Sequence, residues 1–170
     1  MMKRFLPLIL IASFSISSAE QAITQWVYNT LERAQANLDK GNLEAAERIY
    51  YDYANDTWSS RSYDHFVILR TYAYFLISYD RNEEALKYLK QASLKRDMPP
   101  YDIFELNFTL GQVYYVNGDR ENAKKTLLKW VEIGEKNKLD LKPEGYAILA
   151  TIYAQDEEWG NALKFITLAI

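Results

Sequence analysis

The sequence predicts an all-α fold, a solenoid of about four antiparallel helix hairpins, and three observations carry that prediction. Composition is the first. Among 170 residues there are six glycines and four prolines but 14 tyrosines and four tryptophans, a balance that favours helices packed through aromatic side chains. The second is an internal repeat. An alanine embedded in GNLEAAERIY, RNEEALKYLKQA, GDRENAKKTLLKW and EWGNALKFITLA falls at residues 46, 85, 123 and 162, at intervals of 39, 38 and 39. The third is periodicity within a unit. Ile103, Leu106, Leu110, Val113 and Tyr114 recur at three- and four-residue steps, as do Ala123, Leu127, Trp130 and Val131.

Each unit therefore reads as two helices joined by a short turn, with hairpins expected over about 22–56, 61–97, 101–136 and 142–170. In the first hairpin Ala34 marks the opening helix, and Gly41 followed by Asn42 marks the turn into the second. In the second, Asp80 with Glu83 three residues later approximates a capping box at the start of the returning helix. The third is the clearest: Asn117-Gly118-Asp119 separates its two apolar runs. There Gly118 can turn left-handed to end one helix, and Asp119 can accept from the free amides that begin the next. In the fourth, Asp156 before Glu157-Glu158 marks the corresponding start. Pro99-Pro100 and Pro143 fall between units, where proline opens a helix without losing a needed amide.

Small residues let the hairpins close. Ala73, Gly111 and Ala150 on first helices, and Ala46, Ala85, Ala123 and Ala162 on second helices, are the expected repeat-packing positions. Tyr72, Leu76, Leu89, Leu110, Tyr114, Leu127, Leu149, Tyr153 and Phe165 are the expected core. Burying one such side chain contributes about 1.5–3 kcal/mol. A lone hairpin covers only one side of itself, so stability must come from stacking neighbour on neighbour.

The same composition excludes much chemistry. With no cysteine and one histidine, the chain is expected to hold neither a disulfide scaffold nor a metal centre, and no cofactor. Glu83-Glu84 and Glu157-Glu158 are the obvious paired carboxylates, but first helical turns favour acids through the helix dipole. His65 has no candidate nucleophile in a recognisable motif and reads as a surface or interface residue. No glycine loop able to cradle phosphate occurs. The chain is expected to have no enzymatic activity.

Residues 1–19 are expected to be a cleaved signal peptide, with two positive charges by Arg4, an apolar run from Phe5 to Ile16 and small residues at Ser17-Ser18-Ala19. The other reading, an anchoring helix, is short of the about 20 apolar residues that a span needs. Cleavage would leave 18 basic and 23 acidic residues, a net charge of −5 that disfavours nucleic acid as a partner. The repeat domain is expected over 20–170, in the periplasm, with any membrane contact indirect.

The spacing of Leu110-Gly111, Tyr114, Gly118, Ala123, Leu127 and Trp130 resembles the tetratricopeptide repeat family, over about Val27 to Ile170. The interval of 38–39 exceeds the family's usual 34 or so residues, which implies longer links between hairpins. The resemblance implies a right-handed superhelix whose first helices line a concave, protein-binding groove. Carried over residue by residue, the groove holds Gln35, Tyr74, Gln112 and Thr151, with Ile77 and Tyr115 on one side and Arg70 and Phe108 on the other. Tyr74, Phe108 and Tyr115 either anchor a bound peptide or helix or simply pack adjacent first helices together. The segments AQANLDKGNLEAAERIY, ILRTYAYFLISYDRNEEALKYLKQA, MPPYDIFELNFTLGQVYYV and LLKWVEIGE are similar to periplasmic tetratricopeptide proteins that accompany TonB–ExbB–ExbD systems of Gram-negative bacteria. That likeness implies an accessory of TonB-dependent uptake with a component of the TonB system as partner. The alternative is a cell-envelope assembly factor working through its convex face or its apolar C-terminal end.

The segment Phe165 to Ile170 is apolar but for Thr167, where a finished array carries a polar cap. Two expectations stay open: the chain is a fragment of a longer array, or this helix self-associates or meets a partner.

Overall fold

In the computed structural model, which describes residues 21–59 and 61–170, the chain forms eight α-helices and, among the described residues, no strand. The expected signal peptide lies outside the described residues. The helices are α1 (Gln25–Asp39), α2 (Leu43–Ala54), α3 (Tyr63–Ser78), α4 (Asn82–Ser93), α5 (Pro100–Val116), α6 (Arg120–Asn137), α7 (Pro143–Gln155) and α8 (Trp159–Leu168). Consecutive helices pair as hairpins, and each second helix also packs against the first helix of the next hairpin.

Local chemistry starts these helices. Thr24, Asn42, Ser62 and Asp119 accept from backbone amides of the first turns of α1, α2, α3 and α6. Pro100 and Pro143 open α5 and α7, where no amide is missed. Two expected caps are corrected: the N-cap of α4 is Arg81 and that of α8 is Glu158, neither with a side-chain cap bond, so Asp80 and Asp156 do not cap.

Asp80 instead has a role that its residue type hides. Five residues before each repeat alanine stand Gly41, Asp80, Gly118 and Glu157, and all four have positive φ, at 74°, 59°, 79° and 61°. The amide after each one reaches back to close the preceding helix: Asn42 N to Asn37 O, Arg81 N to Leu76 O, Asp119 N to Tyr114 O and Glu158 N to Tyr153 O, at 2.8–3.0 Å. One turn geometry thus serves four hairpins, with glycine in two and a strained acidic residue in the others. A Cβ on Gly118 would meet nothing within 4 Å, so Gly118→Ala isolates the backbone penalty and is expected to cost about 1–2 kcal/mol in urea denaturation. Asp80→Gly is expected to shift stability the other way, by under about 1 kcal/mol.

Two apolar clusters fill the array, one built mainly on α1 to α5 and the other on α5 to α8. α5 serves both, with Leu106, Leu110, Val113 and Tyr114 in the first cluster and Phe104 and Phe108 in the second. Every residue of the expected core is buried. The six repeat-packing alanines are buried too, and a Cβ on Gly111 would lie 2.6 Å from Leu127 Cγ, closer than atoms can approach. Gly145, unremarkable in sequence, does the same work between hairpins: its missing side chain leaves room for the Trp130 ring.

Polar links pin one hairpin to the next. The Asp64 carboxylate accepts from the Thr24 amide and hydroxyl, at 2.9 and 2.8 Å. Asp102, at the equivalent place one repeat later, accepts from the Tyr63 hydroxyl at 2.9 Å and from the Arg70 guanidinium. Glu47 pairs with Arg81, and Lys124 with Asp156 and Glu158.

His65 departs from the expected surface position. It is buried, stacked on Trp58, with Nε2 3.0 Å from the Ala54 carbonyl. Burial lowers its pKa, and the Ala54 hydrogen bond only partly opposes this. The Nδ1 atom is buried without a hydrogen-bond partner, so the site favours a neutral ring that serves packing.

Candidate protein-binding groove

Because first helices lie beside one another, a furrow runs between α3 and α5. A depression of about 460 Å³ opens there, lined by Tyr74, Ile77 and Ser78 of α3, Asn82 at the start of α4, and Thr109, Gln112, Val113 and Val116 of α5. No charged side chain lines it. Tyr74 is 40% exposed, and its hydroxyl lies 3.4 Å from Thr109 Oγ1, while Val116 stands out to solvent on the opposite lip. The floor is thus apolar, and hydroxyl and amide groups are spaced around it where they can bond a polypeptide backbone.

The residues expected in the groove separate on this geometry. Tyr74, Ile77 and Gln112 come together in the depression. Tyr115 is half-buried and packs on the first apolar cluster. Gln35 and Thr151 lie on α1 and α7, away from it. Gln35 Nε2 donates to Asp39 at 2.8 Å, and the Thr151 hydroxyl donates to the Ala147 carbonyl at 2.9 Å.

Arg70 is already engaged. Its guanidinium pairs with Asp102 and lies 5.2 Å from the centre of the Phe66 ring. Burial disfavours its charge, but the Tyr74 and Asp102 oxygens more than offset this, and its pKa is raised. It ties α3 to α5 and has little freedom to bind a ligand.

Phe108 is a correction to the expected groove. It is buried, with its ring centre 5.2 Å from that of Trp130 and with Lys142 Nζ 4.6 Å from the ring centre. At 100° per residue, a step of four back from Gln112 swings about 40° toward the next hairpin, whereas a step of three swings about 60° the other way. The furrow lies on the side of the shorter step, so Thr109 enters it and Phe108 enters the core. Thr109, Val113 and Val116 were absent from the sequence expectation for this reason. Their three- and four-residue spacing was the available signal.

Among the described residues, no group of three or more His, Asp or Glu side chains is placed to hold a metal ion, and no helix is long and apolar enough to cross a membrane.

No protein-family model matches the chain. A relative in sequence is pre-mRNA-splicing factor 6 of Saccharomyces cerevisiae, 29% identical over 118 residues, covering 63% of this chain and 11% of that protein. The chain thus spans about a tenth of that relative's length. Among solved structures, it is similar to MamA, with a TM-score of 0.64 and 17% identity over 84% of this chain and 75% of MamA. It is also similar to the TPR-like repeats of a Podosopora anserina kinesin light chain, with a TM-score of 0.63 and 16% identity over 85% of this chain and 73% of the other. At these identities the likeness is one of fold: an all-α, TPR-like solenoid.

Proposed function

We propose that this chain is a non-catalytic protein-binding scaffold that holds an uncharged, largely apolar segment of another protein in the depression between α3 and α5. The observation that carries this reading is the lining itself. Exposed Tyr74 and Val116 flank a floor without charged side chains, with Ser78, Asn82, Thr109 and Gln112 at its edge. Such a surface cannot neutralise phosphates, but it can desolvate an apolar side chain and bond the backbone beside it. The TPR-like fold supports the reading by setting first helices side by side, so that an extended furrow results.

The proposed compartment is the periplasm, and the proposed partner a component of a TonB–ExbB–ExbD system, with the chain an accessory of TonB-dependent uptake. Supporting these are the leader-like composition of residues 1–19 and the similarity of the segments around Ala34–Tyr50, Ile68–Ala92 and Met98–Val116 to periplasmic proteins of that kind.

The test is a pull-down of tagged chain with the periplasmic domains of TonB and ExbD, comparing wild type with Tyr74→Ala and Val116→Asp. Both positions are exposed, so helicity should persist, and capture is expected to fall at least tenfold. Capture unchanged in both variants would remove the groove from the mechanism. Deleting the gene should slow growth on a TonB-dependent iron source; unchanged growth removes the transport assignment and leaves the groove reading standing.

A further inference from the structure

The depression between α3 and α5 continues past its own rim. Where these two helices end it opens on a second depression of about 440 Å³, and Asn82 and Val116 line both. The second is different in kind. Its rim carries Asp80, Glu83 and Glu84 against a single cation, Arg81.

Arg81 does not cancel the other two acids. Its guanidinium donates to both Glu84 oxygens, at 2.6 and 2.8 Å, and to Glu47 at 2.6 Å, so it is already shared between two carboxylates. Lys87, one turn along α4, also acts on Glu84. Among the described residues Asp80 and Glu83 make no ion pair, and both are exposed. The backbone adds to their field: α3 and α5 end here and α4 begins here, and two carbonyl ends outweigh one amide end.

Two exposed carboxylates are by themselves an ordinary solvated surface. Their position gives them a ligand, because a chain segment that fills the apolar depression must leave it over one of its ends. The two ends differ. One turn before Tyr74 and Thr109, Arg70 pairs with Asp102 and Glu105 with Lys142, so charge at that end is balanced within the protein. Beyond Val116 it is negative and unbalanced. Asn117 lines this end as well, and its Nδ2 is buried without a hydrogen-bond partner. Rotating that amide about its soft terminal torsion toward a bound carbonyl would therefore break no existing bond.

We propose that the segment held between α3 and α5 carries a Lys or Arg one to three residues from its apolar anchor, seated over Asp80 and Glu83. An extended chain advances about 3.3 Å per residue, which carries it from one depression into the next over that stretch. The inference rests on the groove reading above and narrows its partner to an apolar segment with a basic flank. Exposed ion pairs contribute little each, so the cation selects among apolar segments more than it holds them.

Selection from a random 12-residue peptide library displayed on phage, with the purified chain immobilised, tests this. Clones that Tyr74→Ala also retains are discarded. The remainder should carry Lys or Arg within three residues of a pair of apolar side chains. A synthetic peptide of the best clone is then compared with its Lys→Gln or Arg→Gln analogue, on wild type and on Asp80→Asn combined with Glu83→Gln. Asparagine tolerates the left-handed backbone at residue 80, and equal binding of the neutral analogue to both proteins checks that the groove is intact. The basic peptide should bind the double variant about fivefold more weakly than wild type at 50 mM salt, and the difference should shrink to about twofold at 500 mM. Tyr74-dependent clones without a basic flank would overturn the inference and leave the groove standing. So would a basic peptide that binds both proteins equally. A library that yields no Tyr74-dependent clone would overturn the groove reading and this inference together.

Discussion

Trp130→Ala is expected to cost about 3–5 kcal/mol, the usual range for emptying a fully buried aromatic site, and to loosen the last hairpin from the other three. Trp130 is completely buried on α6, with its ring centre 5.5 Å from that of Phe104, 5.2 Å from Phe108 and 5.7 Å from Tyr146. On its far face it occupies the space left by Gly145 at the start of α7. The indole therefore bridges two helices of the third hairpin to the first helix of the fourth. Because a solenoid is stabilised repeat against repeat, the void would fall on one junction and would not be shared across the fold. Urea unfolding followed by tyrosine fluorescence and by circular dichroism should then give two separated transitions, where wild type gives one. Trp130→Phe is expected to retain a single transition. It keeps most of the buried ring, and the indole N–H makes no hydrogen bond here whose loss would add to the cost. A Trp130→Ala protein that unfolds with the wild-type midpoint would show that the fourth hairpin docks by other contacts.

Asp102→Ala is expected to cost about 3 kcal/mol. Asp102 is almost buried in the first turn of α5, where its carboxylate serves both the Arg70 guanidinium and the Tyr63 hydroxyl from α3. Truncation removes the acceptor for both and leaves a guanidinium, itself largely screened from solvent, facing apolar surroundings that include the Phe66 ring. The cost comes from that stranded charge and not from the modest net value of the pair. Hence Asp102→Leu combined with Arg70→Met, which removes both charges, is expected to cost less than Asp102→Ala alone. Thermal unfolding of the three proteins decides it. If the double variant is the least stable, the ion pair contributes more than its desolvation takes away. The link joins the two helices that flank the proposed groove, so the Asp102→Ala protein is expected to lose capture in the pull-down along with stability.

Much of the fold was legible before any coordinates. The alanines at 46, 85, 123 and 162 announce four equivalent hairpins, and the three- and four-residue recurrence of apolar side chains identifies the buried face of each helix. Asp119 reads correctly as a cap, because an acceptor after Gly118 has few other local uses. Asp80 and Glu157 do not read correctly. Both look like helix starters, yet each sits in the left-handed turn that glycine fills in the first and third hairpins. The turn is set by the two helices it joins, and hairpin closure holds an acidic residue in a conformation that it would not choose alone.

The candidate groove shows the same boundary. The resemblance to the tetratricopeptide family implies which positions of a first helix face the groove, and Tyr74, Ile77 and Gln112, carried over from it, do meet in the depression. It does not give the rotation of α5 against α3 and α7, and a rotation of some tens of degrees sends Phe108 into the core and Thr109 into the furrow. Nor does it show that Arg70 is taken up by a carboxylate 32 residues away. Helix count, hairpin pairing and the small residues that let backbones meet are readable along the chain, since they depend on contacts within one repeat interval of 38 or 39 residues. Which exposed side chains share a surface follows from the packed array alone, because it depends on the angle at which one hairpin stacks on the next, summed over many weak contacts that no single motif encodes.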